Sequence, residues 1–379
     1  MSRIKIERGI SYDQARDRYY VYMDGGLDEE GRRIRQYKTY PTLTLARRSQ
    51  RAFQGEREAA RAVTPTAMTL DNWLDYWMEN VVCPGRAETT IYCYRKIIEN
   101  HISPTLGNIP LQRLTPQAIQ QYYSSVLHSK GLSPNTVRRH HDLLSAALHT
   151  AVRQDLLLRS PTDRVEPPRA VPHEALFYSP ENLKRLYELS AGTALEVPVR
   201  LAGGLGLRRE EICGLKWSCV DFAQRRVHIC AARTAAGAKI VEKETKNRSS
   251  TRALYMDDDL CALLRRTADR QAADRQAAGN RYRDTGLVLV NKWGVPWSPN
   301  GLSLCFTRFI RRSRLPPLTL HGLRHTFATV ASAQGAPLFE IGRALGHSTP
   351  ATTGRIYTHL LDQTHEATLL RVSNALRSC

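Results

Sequence analysis

The sequence predicts a multidomain, mainly helical chain: a small N-terminal α+β sheet domain over residues 1–62, a helical bundle over residues 67–165, and a larger mixed α/β domain over residues 175–379, mostly helical with a small β-sheet. Three observations predict it. A chain of 379 residues holds two or three domains at ~150 residues each. Runs of β-type composition fall before Tyr40 and in one insert from Val220, while apolar residues elsewhere recur at helical spacing. Aperiodic stretches with proline, Arg61 to Ala67 and the run holding Pro161, Pro167, Pro168 and Pro172, read as the linkers.

In the first domain, Ile4 to Glu7, Tyr19 to Met23 and Arg35 to Tyr40 are strand candidates, separated by the turn signals Asp24-Gly25-Gly26 and Glu30-Gly31. Thr44 to Arg61 follows as a helix, with Leu45, Ser49 and Phe53 at helical spacing. Arg32, Arg33, Arg35 and Lys38 crowd one strand, which makes it a candidate for entering a nucleic-acid groove. In the bundle, Thr69 is placed to cap a helix on which Leu70, Trp73, Leu74, Trp77, Met78 and Val81 form one apolar face. Thr115-Pro116 and Ser133-Pro134 open two more, each a capping residue followed by proline at the first helical position. Ile119, Tyr123 and Val126 line one of these, and Val137, Leu144, Leu148 and Ala151 the other. Arg95, Lys96, Arg138, Arg139, His140 and His141 are assigned to the exposed faces as candidate phosphate contacts. In the third domain, Ser179-Pro180 opens a helix bearing Leu183, Leu186 and Leu189, and helical patterns continue from Val197 to Lys216. Strand-like runs at Val220 to Phe222, Val227 to Ala231 and Thr251 to Tyr255 form the insert, and helices resume after Asp257.

Composition narrows the function. Lys plus Arg outnumber Asp plus Glu by 55 to 36, a formal charge of +19, and such a surplus suits a polyanionic partner. With 42% apolar residues the chain is globular rather than disordered. Its eight cysteines form no CxxC pair and no Cys/His cluster at zinc-ligand spacing, which argues against a disulfide scaffold and a zinc finger. The opening MSRIKIERGI has no hydrophobic signal segment, and no apolar run approaches the ~18 residues of a membrane span, so a cytoplasmic protein with no membrane partner is expected.

Four patterns in the third domain need a joint explanation. In Gly206-Leu207-Arg208-Arg209-Glu210-Glu211, Arg208 and Glu211 stand at i and i+3 if a helix begins near Leu207, so a carboxylate can hold a guanidinium in place. Thr245-Lys246-Asn247-Arg248-Ser249-Ser250-Thr251-Arg252 is a basic turn between β-type runs, suited to a lysine at a hairpin tip. His321-Gly322-Leu323-Arg324-His325 puts His321 and Arg324 on one helix face. His321 and His325 have the i, i+4 spacing of metal ligands, but no Glu follows His321 and no third ligand is apparent, so no metal is expected. Leu345-Gly346-His347-Ser348-Thr349-Pro350 is followed ten residues after His347 by Tyr357.

In this order, Arg208, Lys246, His321, Arg324, His347 and Tyr357 resemble the active-site set of the tyrosine site-specific recombinases, the phage-integrase family. GLRREEICGLKW is similar to the family's first arginine box, with Glu211 in support. TKNRSSTRAL is similar to its β-hairpin lysine segment, with Lys243 as a rival to Lys246, and HGLRHTFAT and LGHSTPATTGRIY resemble the second box. The resemblance implies a catalytic domain of tyrosine recombinase type at 175–379, a core-site DNA-binding bundle at 67–165 and an arm-site DNA-binding sheet domain at 1–62, the layout of temperate-phage and integrative-element integrases. Arg33, Arg35, Lys38, Arg95, Lys96, Arg138, Arg139 and His140 are then the candidate DNA contacts.

The same resemblance implies cleavage through a 3′-phosphotyrosyl intermediate on Tyr357. Arg208 and Arg324 would hold the phosphate with His347, His321 would be the base and Lys246 the general acid. No cofactor, metal or ATP is implied. The implied partners are double-stranded attachment-site DNA, three further copies in a homotetramer on DNA, an excision accessory protein and a host DNA-bending protein, in a bacterial cytoplasm and on the nucleoid when DNA-bound. A type IB topoisomerase-like nicking-closing enzyme and a catalytically silent DNA-binding regulator are the alternatives. The apolar tail, with Leu360, Leu361, Ala367, Leu369, Leu370 and Leu376, favours the recombinase over the first, and the complete residue set favours it over the second.

Overall fold

The computed structural model describes residues 3–27, 33–62, 66–172, 175–244 and 252–347, with residue 377. The chain divides into two compact units, Met1–Ala87 with Cys93–Val171, and Glu88–Tyr92 with Pro172–Cys379.

At the N-terminus, β1 (Ile4–Glu7), β2 (Ile10–Asp13), β3 (Arg18–Leu27) and β4 (Arg33–Tyr40) form an antiparallel sheet in chain order, covered by α1 (Leu43–Ala62). Strand β2 is additional to the three expected, and Asp24-Gly25-Gly26 lies inside β3 rather than in a turn. The glycines fall where the β3–β4 register slips between Asp24 and Leu27, which is where strand glycine is tolerated. Ile10, Val21 and Ala46 are fully buried, with Tyr19, Tyr40, Leu43 and Phe53 packed around them. Leu45 of the expected stripe is exposed, because Leu43 and Ala46 are the residues that meet the sheet.

The bundle opens with α2 (Leu70–Trp77), capped by the Thr69 side chain on the amide of Asn72 as its sequence predicts. A π-helical turn at Met78–Val82 carries the chain into α3 (Cys83–Gly85). This wide turn moves the apolar phase by one residue, so Val82 is buried at 3% exposure and Val81, the expected core position, stands 40% exposed. The same device, at Ile98–Ile102, joins α4 (Glu88–Ile97) to α5 (Ser103–Leu106). Next come α6 (Pro116–His128) and α7 (Pro134–Arg153), each with the predicted cap and proline. Pro161, expected in a linker, instead starts a 3₁₀ turn at Pro161–Arg164 whose first two residues, Pro161 and Thr162, are buried. The run beyond it is tied to α7: Asn135 exchanges hydrogen bonds with the Val171 backbone, and Arg138 donates to the Pro168 carbonyl.

In the larger unit, α8 (Pro180–Ser190), α9 (Glu196–Leu205) and α10 (Arg209–Gly214) precede the β insert of β5 (Val220–Asp221), β6 (Arg226–Ile229), β7 (Ala231–Ala236), β8 (Lys239–Glu244) and β9 (Arg252–Tyr255). The strands form a β5-β6-β9 sheet and a β7-β8 hairpin. Helices α11 (Asp258–Ala278), α12 (Pro299–Ser313), α13 (Leu320–Ala333) and α14 (Leu338–Leu345) complete the described fold. Leu201, Ala202, Ile212, Val227, Leu264, Phe306 and Leu323 lie at its core with no exposed surface. Among the described residues, no helix is long and apolar enough to cross a membrane.

Candidate active site

Helix α9 ends at Gly206, whose φ of 67° is the left-handed conformation that glycine adopts without strain. A side chain there would also collide, since a Cβ would sit 2.7 Å from both Leu345 and Phe327. The chain therefore turns sharply from α9 into α10. Arg208 is the N-cap of α10, one residue outside the helix rather than within it. Its amide donates to Glu211 Oε2 at 2.8 Å and its Nη1 to Oε1 at 2.9 Å, so the carboxylate holds both backbone and side chain of the arginine.

Arg324, on the first turns of α13, is only 3% exposed and donates to the carbonyls of Gly206 at 2.8 Å and Leu345 at 2.6 Å. Arg208 Nη2 donates to the next carbonyl, Gly346, at 3.0 Å. Arg252, the first residue of β9, takes the preceding one, Ala344, at 2.6 Å through Nε. Three arginines from three elements thus hold three successive carbonyls at the end of α14. The helix terminates in a Schellman arrangement, with Gly346 at φ 65° and the His347 amide returning to Gly342, which leaves those carbonyls facing outward for other donors. The negative end of the helix dipole favours cations in the same place.

Glu211 is the counter-charge. It is 4% exposed, and Arg252 completes its shell with Nη1 on Oε1 at 3.0 Å and Nη2 on Oε2 at 2.9 Å. Burial by itself would raise its carboxyl pKa, but the hydrogen bonds and charges of Arg252 and Arg208 outweigh burial and hold it below the usual range. His347 comes directly after the clamped carbonyls. Burial, followed by the charges of Arg324, Arg208 and Arg252, brings it down to about 4, so it is neutral at pH 7. His321 is likewise lowered, by desolvation from the protein around it and then by Arg324, although the residue itself is exposed at the surface. Its ring packs edge-on against His325 at 5.0 Å, and beside it is a cavity of about 410 Å³ lined by Arg209, Glu210, Ser303 and Thr307.

Arg208, Glu211, Arg324 and His347 are therefore gathered into one centre, with His321 in its electrostatic range. Lys246 and Tyr357 lie outside the described residues. Lys243 is exposed on β8, opposite Ala232. Arg252 was missed as a site residue because its segment reads as a basic turn. The available signal was strand alternation: Arg252 and Leu254 share one face of β9, and Arg252 pairs with the buried Ile229, so an arginine at that position requires a buried acid.

The DNA-contact candidates separate. Arg95, Lys96 and Arg139 are exposed, Lys96 in an ion pair with Glu99, and Arg138 is half-buried on the Pro168 carbonyl. Lys38 is exposed on β4, while Arg33 and Arg35 pair opposite Leu27 and Asp24 and their side chains lie outside the description. His140 is a correction. It has no exposed surface, shares a 2.8 Å hydrogen bond with the Tyr122 hydroxyl and lies with its ring tilted against His101, centroids 5.0 Å apart. It lies three residues after Val137 and four before Leu144, on the apolar stripe of α7, so it cannot face a phosphate.

A helical domain followed by a mixed domain in which two arginines of separate sequence boxes meet beside a histidine is the build of a DNA strand-exchanging recombinase. Two family descriptions match: "Phage integrase family" over residues 177–364 and "Phage integrase, N-terminal SAM-like domain" over residues 69–127. A XerC-like tyrosine recombinase of Caldanaerobacter subterraneus subsp. tengcongensis is 26% identical over 362 residues, covering 90% of this chain and 92% of the relative. The Tn1549 transposon integrase bound to transposon right-end DNA shares the fold at a TM-score of 0.67 and 20% identity, over 81% of this chain and all of that one. A λ integrase tetramer bound to a Holliday junction gives 0.59 and 16%, covering 94% and 96%. The chain belongs to the phage integrase family, and its activity is site-specific DNA recombination.

Proposed function

We propose that this recombinase integrates and excises a mobile element through a tyrosine-linked DNA intermediate, using Arg208, Lys246, His321, Arg324, His347 and Tyr357 with Glu211 in support. The observation that carries the reading is the meeting of Arg208 and Arg324 on successive carbonyls immediately before His347. Fixed, permanently charged forks beside a neutral donor are what a phosphodiester with developing charge requires. Tyr357 Oη bonds to phosphorus as its proton passes to His321. The bond to the 5′-oxygen breaks, and that oxygen takes a proton from Lys246. The products are a 3′-phosphotyrosyl linkage and a free 5′-hydroxyl, and attack by a 5′-hydroxyl of the partner duplex reverses the step. The ester energy is conserved, so ATP is not required, and the arginines and lysine supply the charge that a metal would otherwise bring.

On this reading the bundle and the catalytic domain bind one core half-site, with Arg95, Lys96, Arg138 and Arg139 toward phosphates. The sheet domain, with Arg33, Arg35 and Lys38, binds separate arm sites. Four copies act together on DNA, the assembly for which a λ integrase tetramer on a Holliday junction is a parallel, with an excision accessory protein and a host DNA-bending protein as further partners. A nicked suicide substrate bearing the element's junction tests the central claim. A denaturing gel should show a covalent protein–DNA adduct, unaffected by EDTA, that vanishes in Tyr357→Phe while half-site binding remains. An adduct that survives in Tyr357→Phe refutes the assignment.

A further inference from the structure

Arg252 has no role in the mechanism above, yet it bridges Glu211 and the end of α14. Its side chain is 8% exposed, and all three guanidinium nitrogens are engaged. Two form a fork on Glu211, one to each oxygen, and the third holds the Ala344 carbonyl. Each Glu211 oxygen therefore accepts one bond from Arg252 and one from Arg208. With Arg252 in place, the carboxylate has one orientation that satisfies all four donors, and Arg208 inherits that orientation. Through Ala344 the same guanidinium grips the carbonyl just before the two that Arg324 and Arg208 hold, which fixes the helix end from which His347 emerges.

A fork is required here. An ammonium group is a point donor that cannot span both carboxylate oxygens in plane while also reaching a carbonyl on another element. We propose that Arg252 is a positioning residue for strand cleavage, orienting Arg208 through Glu211 and the His347 segment through Ala344. This rests on the recombinase reading above. Supporting residues that orient reacting groups typically contribute about 10–100-fold in activity, without contacting substrate.

The test is single-turnover cleavage of a pre-bound suicide half-site by the full chain as wild type, Arg252→Met and Arg252→Lys. The amplitude reports the fraction folded and bound, and the rate constant reports positioning. Arg252→Met leaves Glu211 short of donors and is expected to lose amplitude, whereas Arg252→Lys keeps the charge and is expected to keep its folded fraction. The expected result for Arg252→Lys is near-wild-type amplitude and half-site affinity with a rate constant about 10–100-fold lower. A substrate with sulfur in place of the bridging 5′-oxygen, whose leaving group needs little protonation, should rescue Lys246→Ala but neither Arg252 variant. A wild-type rate constant in Arg252→Lys would overturn the proposal, as would a loss confined to amplitude in both variants. Rescue by sulfur would also overturn it, by moving the effect to the leaving group. If wild type itself forms no adduct, the recombinase reading fails first, and that outcome is visible in the control lane.

Discussion

The two units of this protein each bury a polar cluster, and they solve the electrostatic problem in opposite ways. In the helical domain His101 and His140 pack ring against ring beside Tyr122, and burial brings His140 down to about 4, so it becomes neutral. The larger unit buries Arg252 and Arg324 close to Arg208, and a guanidinium cannot discard its proton at any working pH. Each charge there must be met, by Glu211 or by carbonyls at a helix end. The lesson is that an imidazole can be stored in a core by giving up its charge, whereas a buried arginine obliges the fold to build a partner. Three guanidinia against one carboxylate leave a positive surplus suited to a phosphate.

The comparison is broken most forcefully at the arginines. Arg208→Ala should reduce single-turnover cleavage by about 10²–10³-fold, the usual consequence of losing one preorganised donor to a developing charge, with half-site affinity changed only a few-fold. Equal losses of rate and affinity would make Arg208 a binding residue. Next is Glu211→Gln, which removes the charge facing two guanidinia and should cost about 3 kcal/mol of stability, because breaking a buried pair leaves an uncompensated charge. A melting temperature equal to wild type would show that the carbonyls alone suffice.

The histidine cluster predicts a pH effect of its own. A base with a lowered folded pKa binds fewer protons folded than unfolded, so its stabilising contribution is complete above about 6.5 and is lost as pH falls toward about 4. Thermal melts at pH 7.5 and 5 should show a drop for wild type that shrinks in His140→Phe. An unchanged drop would assign the acid sensitivity elsewhere. The smallest effect concerns DNA. Arg139→Ala should flatten the slope of log K against log salt by about 0.9, one phosphate contact, and His140→Phe should leave it unchanged. A flattened slope in His140→Phe would restore that residue to the DNA face.

How much was legible follows the range of each interaction. Thr69, Thr115, Ser133 and Ser179 announce their helices because an N-cap and its target amide are three residues apart, and all four caps form. Arg208, Glu211, His321, Arg324 and His347 could be picked out because the order of their short motifs resembles the family's active-site set. Local spacing also misled. A straight 3.6-residue count put Val81 in the core, and the π turn put Val82 there instead; the same count would have recovered His140, which its basic neighbours disguised.

By itself, then, the sequence determined the mainly helical fold with its two strand-bearing regions, the helix starts and the surplus of positive charge. Only the tertiary structure decided that Arg252 belongs with Glu211, 41 residues away, and that three arginines share three consecutive carbonyls. The physical reason is that a buried charge is satisfied by whichever group the fold brings within about 3 Å. Carbonyls, present at every residue, leave no mark in the sequence to say which of them will be left open by a helix end.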